Sequence, residues 1–354
     1  MLPAHLQVSR DGGGNESDSS SEVEGHSKRG RRPIHNNNNS QQPPLGLTGV
    51  LCDSHKLSIP QRGTLHYTIF RPRNMQPNMP PPLLCIAGGP LLPWSYLSPI
   101  VHIINDRSII FFDPLGVGQS KPFGKIETTN VSGIVQDLIY LVSKLSMKQF
   151  HMLGHSFGGI IAFEYLCQTL LQDDSAPSDL PTCLSVVLSN TPVSVAKTLE
   201  SCQSLMEDIQ KDFNASDLDE DMVKERFAFT HECRVRPLPL PLQQSYEMAG
   251  FYSFTNSLLA VKDYVAAQPQ QEVSSPMNMP PALVLRGQHD FVVDANAWSD
   301  LFRSCEQVVL AGCSHYALLE NEDIFGSVLS LFLRKYDPRQ EDFFTLPNGV
   351  IVRK

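Results

Sequence analysis

The sequence predicts an α/β protein in which a mostly parallel central sheet is flanked by helices and carries an inserted helical lid. Three observations support this fold class. From about residue 47, short apolar runs alternate with stretches of helical spacing, as in β-α units. The later runs are rich in β-branched residues and leucine on both faces, which is typical of strands that helices cover on both sides. The segment between Asn190 and Ala282 interrupts this alternation and is helical, polar and proline-containing.

The predicted elements follow one another in the order that such a sheet requires. Strands are predicted over residues 49–57, 64–71, 83–87, 109–112, 149–153, 184–189, 282–286 and 307–310. Helices are predicted over residues 131–145, 159–171, 294–303 and 324–335, where apolar residues recur every three or four positions.

These elements divide the chain into four parts. Residues 45–191 and 277–340 form the predicted core, and residues 192–276 form the predicted helical lid. Residues 1–44 have almost no bulky apolar side chains, so we expect a disordered low-complexity tail. The basic run at residues 28–32 is either solvated charge or a nuclear-import or anionic-surface patch. Residues 341–354 are predicted to be a C-terminal tail.

Composition and charge exclude several classes of protein. The formal net charge of −9 belongs to the body, because the charges of the tail cancel. An acidic body without a basic stripe argues against nucleic acid or a membrane as partner and favours a cationic or amine-bearing ligand. No apolar run approaches the roughly 20 residues of a membrane-spanning helix, and no signal peptide is visible, so we expect a cytoplasmic protein. The eight cysteines lack metal-binding spacing, which predicts reduced thiols.

One segment has the pattern of a nucleophile elbow. Gly154-His-Ser-Phe-Gly-Gly159 follows a predicted strand and precedes a predicted helix. A turn this tight strains the backbone of its serine and leaves room only for glycine at the flanking positions. It would expose the hydroxyl of Ser156 as a nucleophile and point the N–H of Phe157 at an oxyanion. His155 and His289 are expected to be structural. The alternative is a glycine-rich turn that only packs a helix on a strand.

A serine nucleophile requires a base, and the base requires an acid that orients it. Asp290 follows the predicted strand 282–286, and His315 follows the next strand, 307–310. Both lie near the carboxyl ends of strands, where parallel sheets gather their active sites. The order Ser156, Asp290, His315 is that of the α/β-hydrolases. The sequence therefore predicts a catalytic triad in an α/β-hydrolase fold, with no metal and no cofactor.

The second oxyanion donor should come from the loop after strand 83–87, which lies beside the nucleophile strand in this fold. The loop reads Ala87-Gly-Gly-Pro90. Glycines let the backbone approach a substrate, and Pro90 fixes the turn beyond them. We therefore predict that Gly89 donates its N–H to the oxyanion and that Gly88 contacts the substrate. A simple turn is the alternative.

Six segments carry motifs that occur together in one known family. They are residues 88–90, 113–120, 154–159, 287–290 and 312–315, and the lid stretch His231-Glu-Cys-Arg234 with Pro237. In this order they resemble the HGGPG loop, the D-x-x-G-x-G-x-S turn, the elbow, the acid and base segments and the H-x-x-R-x-x-P stretch of the prolyl iminopeptidases, including the tricorn-interacting aminopeptidases. The resemblance covers residues 47–335.

The resemblance implies a serine peptidase that releases an N-terminal residue, often proline, from short peptides and needs no metal. It also implies that acidic lid residues hold the free α-amine of the substrate. Residues 193–276 contain thirteen acidic and seven basic residues, in agreement with this. The cluster of Asp219, Glu220 and Asp221 is the predicted amine site, and a solvated acidic face is the alternative.

Three positions depart from the family pattern. Ala87 and Leu91 stand where the family's oxyanion loop has histidine and glycine, and Ser253 stands where the lid has an amine-binding glutamate. Three hypotheses follow. The protein is a serine aminopeptidase, it hydrolyses an ester, lactone or other small acyl substrate with the same triad, or it is a binding protein on a hydrolase scaffold. The oligomeric state and the preferred N-terminal residue stay open.

Overall fold

The computed structural model describes residues 49–74, 78–124, 130–170, 180–212, 219–250, 260–268, 278–338, 343–345 and 351–353. The predicted low-complexity tail, residues 1–44, and Ser253 of the lid lie outside the described residues.

Nine strands of the described chain form one twisted central sheet. They are β1 (Val50–Ile59), β2 (Gly63–Pro72), β3 (Leu83–Ile86), β4 (Ile109–Asp113), β5 (Lys121–Pro122), β6 (Gln149–His155), β7 (Thr182–Ser189), β8 (Ala282–Gly287) and β9 (Cys305–Leu310). Their order is β1-β2-β4-β3-β6-β7-β8-β9, and β5 pairs with β2. The hairpin β1–β2 is antiparallel to its neighbours, whereas every pairing from β4 to β9 is parallel. The predicted fold class is confirmed.

Helices cover both faces of this sheet, because its central strands are apolar on both sides. The described helices are α1 (Ile100–Ile103), α2 (Val131–Lys144), α3 (Phe157–Leu170), α4 (Val195–Asp212), α5 (Glu220–Phe227), α6 (Leu240–Ala249), α7 (Ala317–Glu320) and α8 (Glu322–Tyr336). Helices α2 and α3 belong to the apolar cluster on one face, and α1 and α8 belong to the cluster on the other. The sheet is therefore the middle of three layers.

One predicted helix is shorter than the sequence indicates. In place of a helix over residues 294–303, the chain forms a 3₁₀ turn, Ala295–Asp300. The carboxylate of Asp294 does not cap this turn, and it accepts hydrogen bonds from the N–H groups of Val193 and Ser194 at 3.3 and 2.8 Å. Trp298 is fully buried and donates its indole N–H to the carbonyl of Thr191 at 2.9 Å. Tertiary contacts thus override the helical spacing of this segment.

Helices α4, α5 and α6 lie in the predicted lid. Between α5 and α6 the chain makes a π-helical turn, Ala228–Glu232, and Pro239 then precedes α6. The predicted C-terminal tail contains a two-stranded antiparallel hairpin, Phe343–Thr345 with Ile351–Arg353. Among the described helices none is long and apolar enough to cross a bilayer. The same residues contain no group of acidic, histidine and cysteine side chains arranged to hold a metal ion.

Candidate active site

Ser156 lies at the sharp turn between β6 and α3. Its φ angle is 54°, a left-handed conformation that is rare for a residue other than glycine. The turn is possible because the chain passes very close to itself here: a Cβ at Gly154 would lie 2.4 Å from the carbonyl oxygen of Gly158. A Cβ at Gly158 would lie 2.2 Å from the carbonyl oxygen of Ile86. The predicted elbow is therefore present, and both of its flanking glycines are sterically required.

The predicted acid and base are hydrogen-bonded to each other. The Nδ1–H of His315 donates to Oδ1 of Asp290 at 2.9 Å, and both side chains are buried. The same carboxylate accepts the N–H of Val292 at 3.1 Å and the Nδ2–H of Asn190 at 2.7 Å. With Nδ1 engaged as a donor, the Nε2 atom of a neutral His315 is free to accept a proton.

Asn190 is a residue of this site that the sequence analysis missed. It is fully buried, directly follows β7 and has a φ angle of 52°. Its side-chain amide also donates to the carbonyl of Ser314 at 3.1 Å, so it joins the acid to the base loop. The one available signal was its position at the carboxyl end of a parallel strand, where side chains turn toward the active site.

The base loop is held by further contacts. The N–H and hydroxyl of Ser314 donate to the carboxylate of Glu320 at 2.7 and 2.6 Å. Burial raises the pKa of Glu320, and its hydrogen bonds with Ser314 oppose that rise. The ring of Phe291 stacks on the ring of His315, with centroids 4.2 Å apart. These contacts limit the imidazole to a narrow range of positions.

Ser156 and His315 line the same cavity, so the structure brings the three predicted catalytic residues to one place. In the described part of the chain the hydroxyl of Ser156 makes no hydrogen bond. The hydrogen bond between a serine nucleophile and its histidine base is often long without substrate and shortens in the substrate complex.

The predicted oxyanion donors, Gly89 and Phe157, line the same cavity as Ser156. Within the described residues, the N–H groups of Gly89 and Phe157 have no acceptor, and both residues line the cavity. The φ angle of Gly89 is 122°, which favours glycine. Gly88 differs from its prediction, because its N–H donates to the hydroxyl of Tyr96 at 2.7 Å and it does not line the cavity. Leu91, where the family has glycine, keeps a left-handed φ of 71°.

The π-helical turn of the lid is hydrogen-bonded to the loops that carry the predicted acid and the predicted base. The carbonyl of His231 accepts the N–H of His315 at 3.2 Å, and the carbonyl of Glu232 accepts the N–H of Tyr316 at 2.9 Å. The ring of His231 donates its Nδ1–H to the carbonyl of His289, beside the acid, at 2.8 Å. Short π-helical segments are frequent at functional sites. This turn fixes the acid loop and the base loop with respect to each other.

The cavity beside Ser156 has a volume of about 150 Å³ and mainly apolar walls. Side chains of α4 form one wall, and Phe227, Phe291 and Tyr316 contribute aromatic surface. Glu232 also lines the cavity, and its carboxylate has no hydrogen-bond partner in the described chain. Burial raises the pKa of Glu232 to about 7, against the opposing influence of His315 and Arg236. In the sequence this residue belongs to the lid charge and to the stretch His231-Glu-Cys-Arg234, and neither pattern predicted a place in the site.

The predicted acidic cluster lies elsewhere. The carboxylate of Asp219 caps α5 by accepting the N–H of Met222 at 2.8 Å. Glu220 and Asp221 pair with Lys224 at 2.9 and 3.5 Å, and their side chains are 67% and 59% exposed. None of the three acidic residues lines the cavity. The cluster therefore serves the start of a lid helix, and Glu232 is the acidic residue that the fold brings to Ser156.

The sheet order, the elbow and the arrangement of acid and base define a class of protein. The chain belongs to the α/β-hydrolase fold family, whose sequence profile matches residues 81–322. Among its relatives is the proline iminopeptidase of Lactobacillus helveticus, which is 24% identical over 282 residues that cover 73% of this chain and 91% of that protein. The proline iminopeptidase of Clostridium botulinum is 32% identical over 88 residues, which cover 25% of this chain and only 30% of the relative.

Solved structures show the same fold. The proline iminopeptidase of Mycobacterium smegmatis superimposes with a TM-score of 0.62 at 21% identity, over 80% of this chain and 98% of that one. The enol-lactonase of Burkholderia xenovorans superimposes with a TM-score of 0.53 at 18% identity, over 79% of this chain and 100% of that one. At these identities the similarity establishes the architecture alone.

Proposed function

We propose that this protein is a serine aminopeptidase that releases an N-terminal residue from short peptides through an acyl-enzyme on Ser156. The observation that carries the proposal is the carboxylate of Glu232, which lies in the same cavity as Ser156 and His315 and makes no hydrogen bond or ion pair with any residue that the structure describes. A partly buried carboxylate is costly unless a cation or a hydrogen-bond donor pairs with it. The α-ammonium group of a peptide is a partner of this kind. Its neighbouring carbonyl would then lie within reach of the serine.

The reaction begins with attack of Ser156 Oγ on the scissile carbonyl. Nε2 of His315 takes the hydroxyl proton as the C–O bond forms, and Asp290 stabilises the imidazolium through Nδ1–H. The N–H groups of Gly89 and Phe157 donate to the oxyanion. When the tetrahedral intermediate collapses, the C–N bond breaks and His315 gives its proton to the leaving amine. A water molecule then hydrolyses the ester by the same steps.

The cavity also favours a substrate with one apolar side chain. Val195, Leu199 and Met206 of α4 line it, together with aromatic residues of the lid and the acid loop. An N-terminal proline or another apolar residue would remove this surface from water, at about 25 cal/mol per Å² of apolar area. Glu232 would fix the direction in which that residue enters. The proline iminopeptidase relatives are consistent with a substrate of this class.

The second candidate is the hydrolysis of an ester, lactone or other small acyl substrate. The apolar walls favour it, and so does the raised pKa of Glu232, because the side chain is largely neutral below pH 7. The enol-lactonase of Burkholderia xenovorans has the same architecture and a different activity. The two candidates share every step of the chemistry and differ in whether the substrate has an amine.

Paired substrates separate these candidates. We expect free prolyl and leucyl arylamides to be hydrolysed with a kcat/KM about 10- to 100-fold above that of their N-acetyl forms, because acetylation removes the partner of Glu232. Glu232→Gln should abolish this preference. Glu225→Gln is the matched control, since it changes the same charge on an exposed lid position outside the cavity. Equal rates on free and acetylated substrates would favour the ester or lactone hydrolase.

Two further expectations belong to this proposal. Ser156→Ala should lose turnover by several orders of magnitude and should no longer react with a fluorophosphonate probe. A wild-type protein that does not react with the probe would favour the binding-protein hypothesis. A cytoplasmic location stays a prediction, and it is supported by eight free cysteines, as expected in a reducing compartment.

A further inference from the structure

We infer that Tyr96 and His155 are positioning residues, which form a buried hydrogen-bonded relay between the oxyanion loop and the loop of the catalytic base. Tyr96 belongs to the 3₁₀ turn Trp94–Leu97, and His155 ends β6 directly before Ser156. In the proposed mechanism neither residue exchanges a proton with the substrate. Their role follows from what their polar atoms join.

Three consecutive hydrogen bonds make up the relay. The N–H of Gly88 donates to the hydroxyl oxygen of Tyr96 at 2.7 Å. The hydroxyl of Tyr96 and Nδ1 of His155 are 2.8 Å apart. Nε2 of His155 lies 2.9 Å from the carbonyl oxygen of His315.

The direction of each bond is determined by its two ends. A backbone N–H can only donate, so the oxygen of Tyr96 accepts from Gly88. A carbonyl can only accept, so Nε2 of His155 bears a hydrogen and donates to His315. A neutral His155 then has a lone pair on Nδ1, which accepts the hydroxyl hydrogen of Tyr96. Every polar hydrogen in the relay has one acceptor, and the relay is complete only with a neutral imidazole.

The surroundings favour that neutral form. His155 and Tyr96 are 3% and 1% exposed. Burial and the nearby His315 lower the pKa of His155 to about 3, so the ring stays neutral over the working range of a hydrolase. The ring of Tyr316 stacks on His155 with centroids 5.3 Å apart and meets Tyr96 edge-on at 5.6 Å. These contacts prevent the two relay side chains from moving to other rotamers.

The relay matters because it holds the oxyanion loop on the side of Gly88 N–H, while the N–H of Leu92 holds the carbonyl of Gly88 at 3.3 Å. Gly88 and Gly89 have no side chains, and the peptide that follows Gly88 supplies the N–H of Gly89. The N–H of Gly88 belongs to the preceding peptide, so its hydrogen bond holds the backbone to which the donor peptide is attached and limits the positions that this peptide can take. Preorganised oxyanion donors are effective because they do not have to reorient during the reaction. By joining the peptide directly before the donor to the backbone of His315, the relay limits the movement of the oxyanion donor relative to the proposed base.

This inference rests on the proposed function only in needing Ser156 as the nucleophile, and it holds for a peptide or an ester. The test compares Tyr96→Phe with Tyr165→Phe. Tyr165 is also buried, and its hydroxyl makes no hydrogen bond in the described chain, so the control removes the same atom outside the relay. On p-nitrophenyl acetate we expect Tyr96→Phe to lower kcat about 10- to 100-fold with KM little changed, because a misplaced donor acts in the transition state.

A second readout separates positioning from general destabilisation. Phenylboronic acid forms a tetrahedral adduct with a serine nucleophile and places a hydroxyl in the oxyanion site. Its inhibition constant should weaken in Tyr96→Phe by about the same factor as kcat/KM, and it should not change in Tyr165→Phe. His155→Asn retains an acceptor near the Tyr96 side, and His155→Gln retains a donor near the His315 side. We expect each to keep part of the activity that His155→Ala loses.

The outcomes are distinguishable. If the wild-type protein does not react with a fluorophosphonate at Ser156, the proposed function fails, and the inference fails with it because it needs Ser156 as the nucleophile. If Ser156 is labelled normally and Tyr96→Phe matches Tyr165→Phe in kcat and boronate affinity, the relay inference alone is overturned. If Tyr96→Phe lowers thermal stability and boronate affinity is unchanged, the hydroxyl is structural, and the inference is likewise overturned.

Discussion

Glu232 shows at the residue scale how a functional group can be unfavourable for the fold. Its carboxylate is placed among apolar cavity walls with no partner in the described chain. The raised pKa measures the free energy by which this environment disfavours the charged form. A buried carboxylate that lowers stability is typical of functional sites, where the arrangement that activity needs is not the most stable one.

The first prediction is that Glu232→Gln stabilises the protein at high pH and not at low pH. The pKa is about 7 in the folded protein and near the ordinary value of 4.5 when the chain unfolds. Between these values the folded state binds the extra proton, so wild-type stability falls as pH rises through this window. We expect a gain of about 2 to 3 kcal/mol at pH 8 and almost none at pH 4.5. Urea unfolding of both proteins at the two pH values measures this difference.

The second prediction concerns the pH dependence of amine recognition. The ratio of kcat/KM for free and N-acetylated substrates cancels the ionisations that both reactions share. We expect this ratio to rise with pH through about 7, as Glu232 becomes charged. It should fall again above about pH 8, where a free α-amine loses its proton. A ratio independent of pH from 5 to 9 would show that Glu232 does not bind the amine.

At the scale of secondary structure, the elements predicted best are those with a strong local pattern. Strands β6 to β9 each contain a short apolar run, and α2, α3 and α8 have apolar residues at helical spacing; all of them are present. The 3₁₀ turn Ala295–Asp300 was not predictable, because Asp294 bonds to the start of the lid, which is distant in sequence. The π-helical turn has no periodic signal, since its shape depends on the loops that it contacts.

The third prediction tests the anchor at the end of α8. Arg107 is fully buried and makes two hydrogen bonds with Asp337, at 2.9 and 2.8 Å. The ring of His151 also contacts this carboxylate, at 3.1 Å. Burial alone would raise the pKa of Asp337, and the hydrogen bonds from His151 and Arg107 lower it below its usual range. Stability from this group is therefore present above about pH 4 and lost as pH falls.

We expect Asp337→Asn to destabilise the protein by about 2 kcal/mol at pH 7, because the buried guanidinium then keeps one carboxylate partner, Asp106 at 3.0 Å, in place of two. Lys335→Gln is the matched control on the same helix. It breaks an exposed pair with Glu306, and such pairs contribute about 1 kcal/mol or less. Equal unfolding midpoints for the two variants would contradict the role assigned to the buried anchor.

At the scale of the whole molecule, the active site is assembled from the ends of separate strands. Ser156, Asp290 and His315 follow β6, β8 and β9, and their predicted proximity depended on the sheet order that the structure has. What the sequence could not predict was the contribution of side chains without a local motif. Asn190 reaches the site through the fold alone, and Glu232 stands at an unspecified position of the lid stretch His231-Glu-Cys-Arg234. The acidic cluster at the start of α5 looked suitable and lies outside the cavity.

The fourth prediction is that deletion of residues 1–44 leaves stability and turnover almost unchanged. This segment has little apolar surface to bury, and its charges cancel. Melting temperature and kcat/KM of the shortened protein should agree with those of the full chain. A clear loss in either would show that the segment contacts the folded body.

The bonds between the π-helical turn and the catalytic loops have a consequence for protein engineering. Lids of hydrolases are attractive targets for grafting, because exchanging a lid promises a new specificity on an old catalytic core. Here the carbonyls of His231 and Glu232 accept the backbone N–H groups of His315, the proposed base, and of Tyr316. A chimaera that replaces the whole lid would remove these hydrogen bonds together with the old pocket. Grafts should therefore leave residues 228–232 with the recipient and join the donor segments on either side of them.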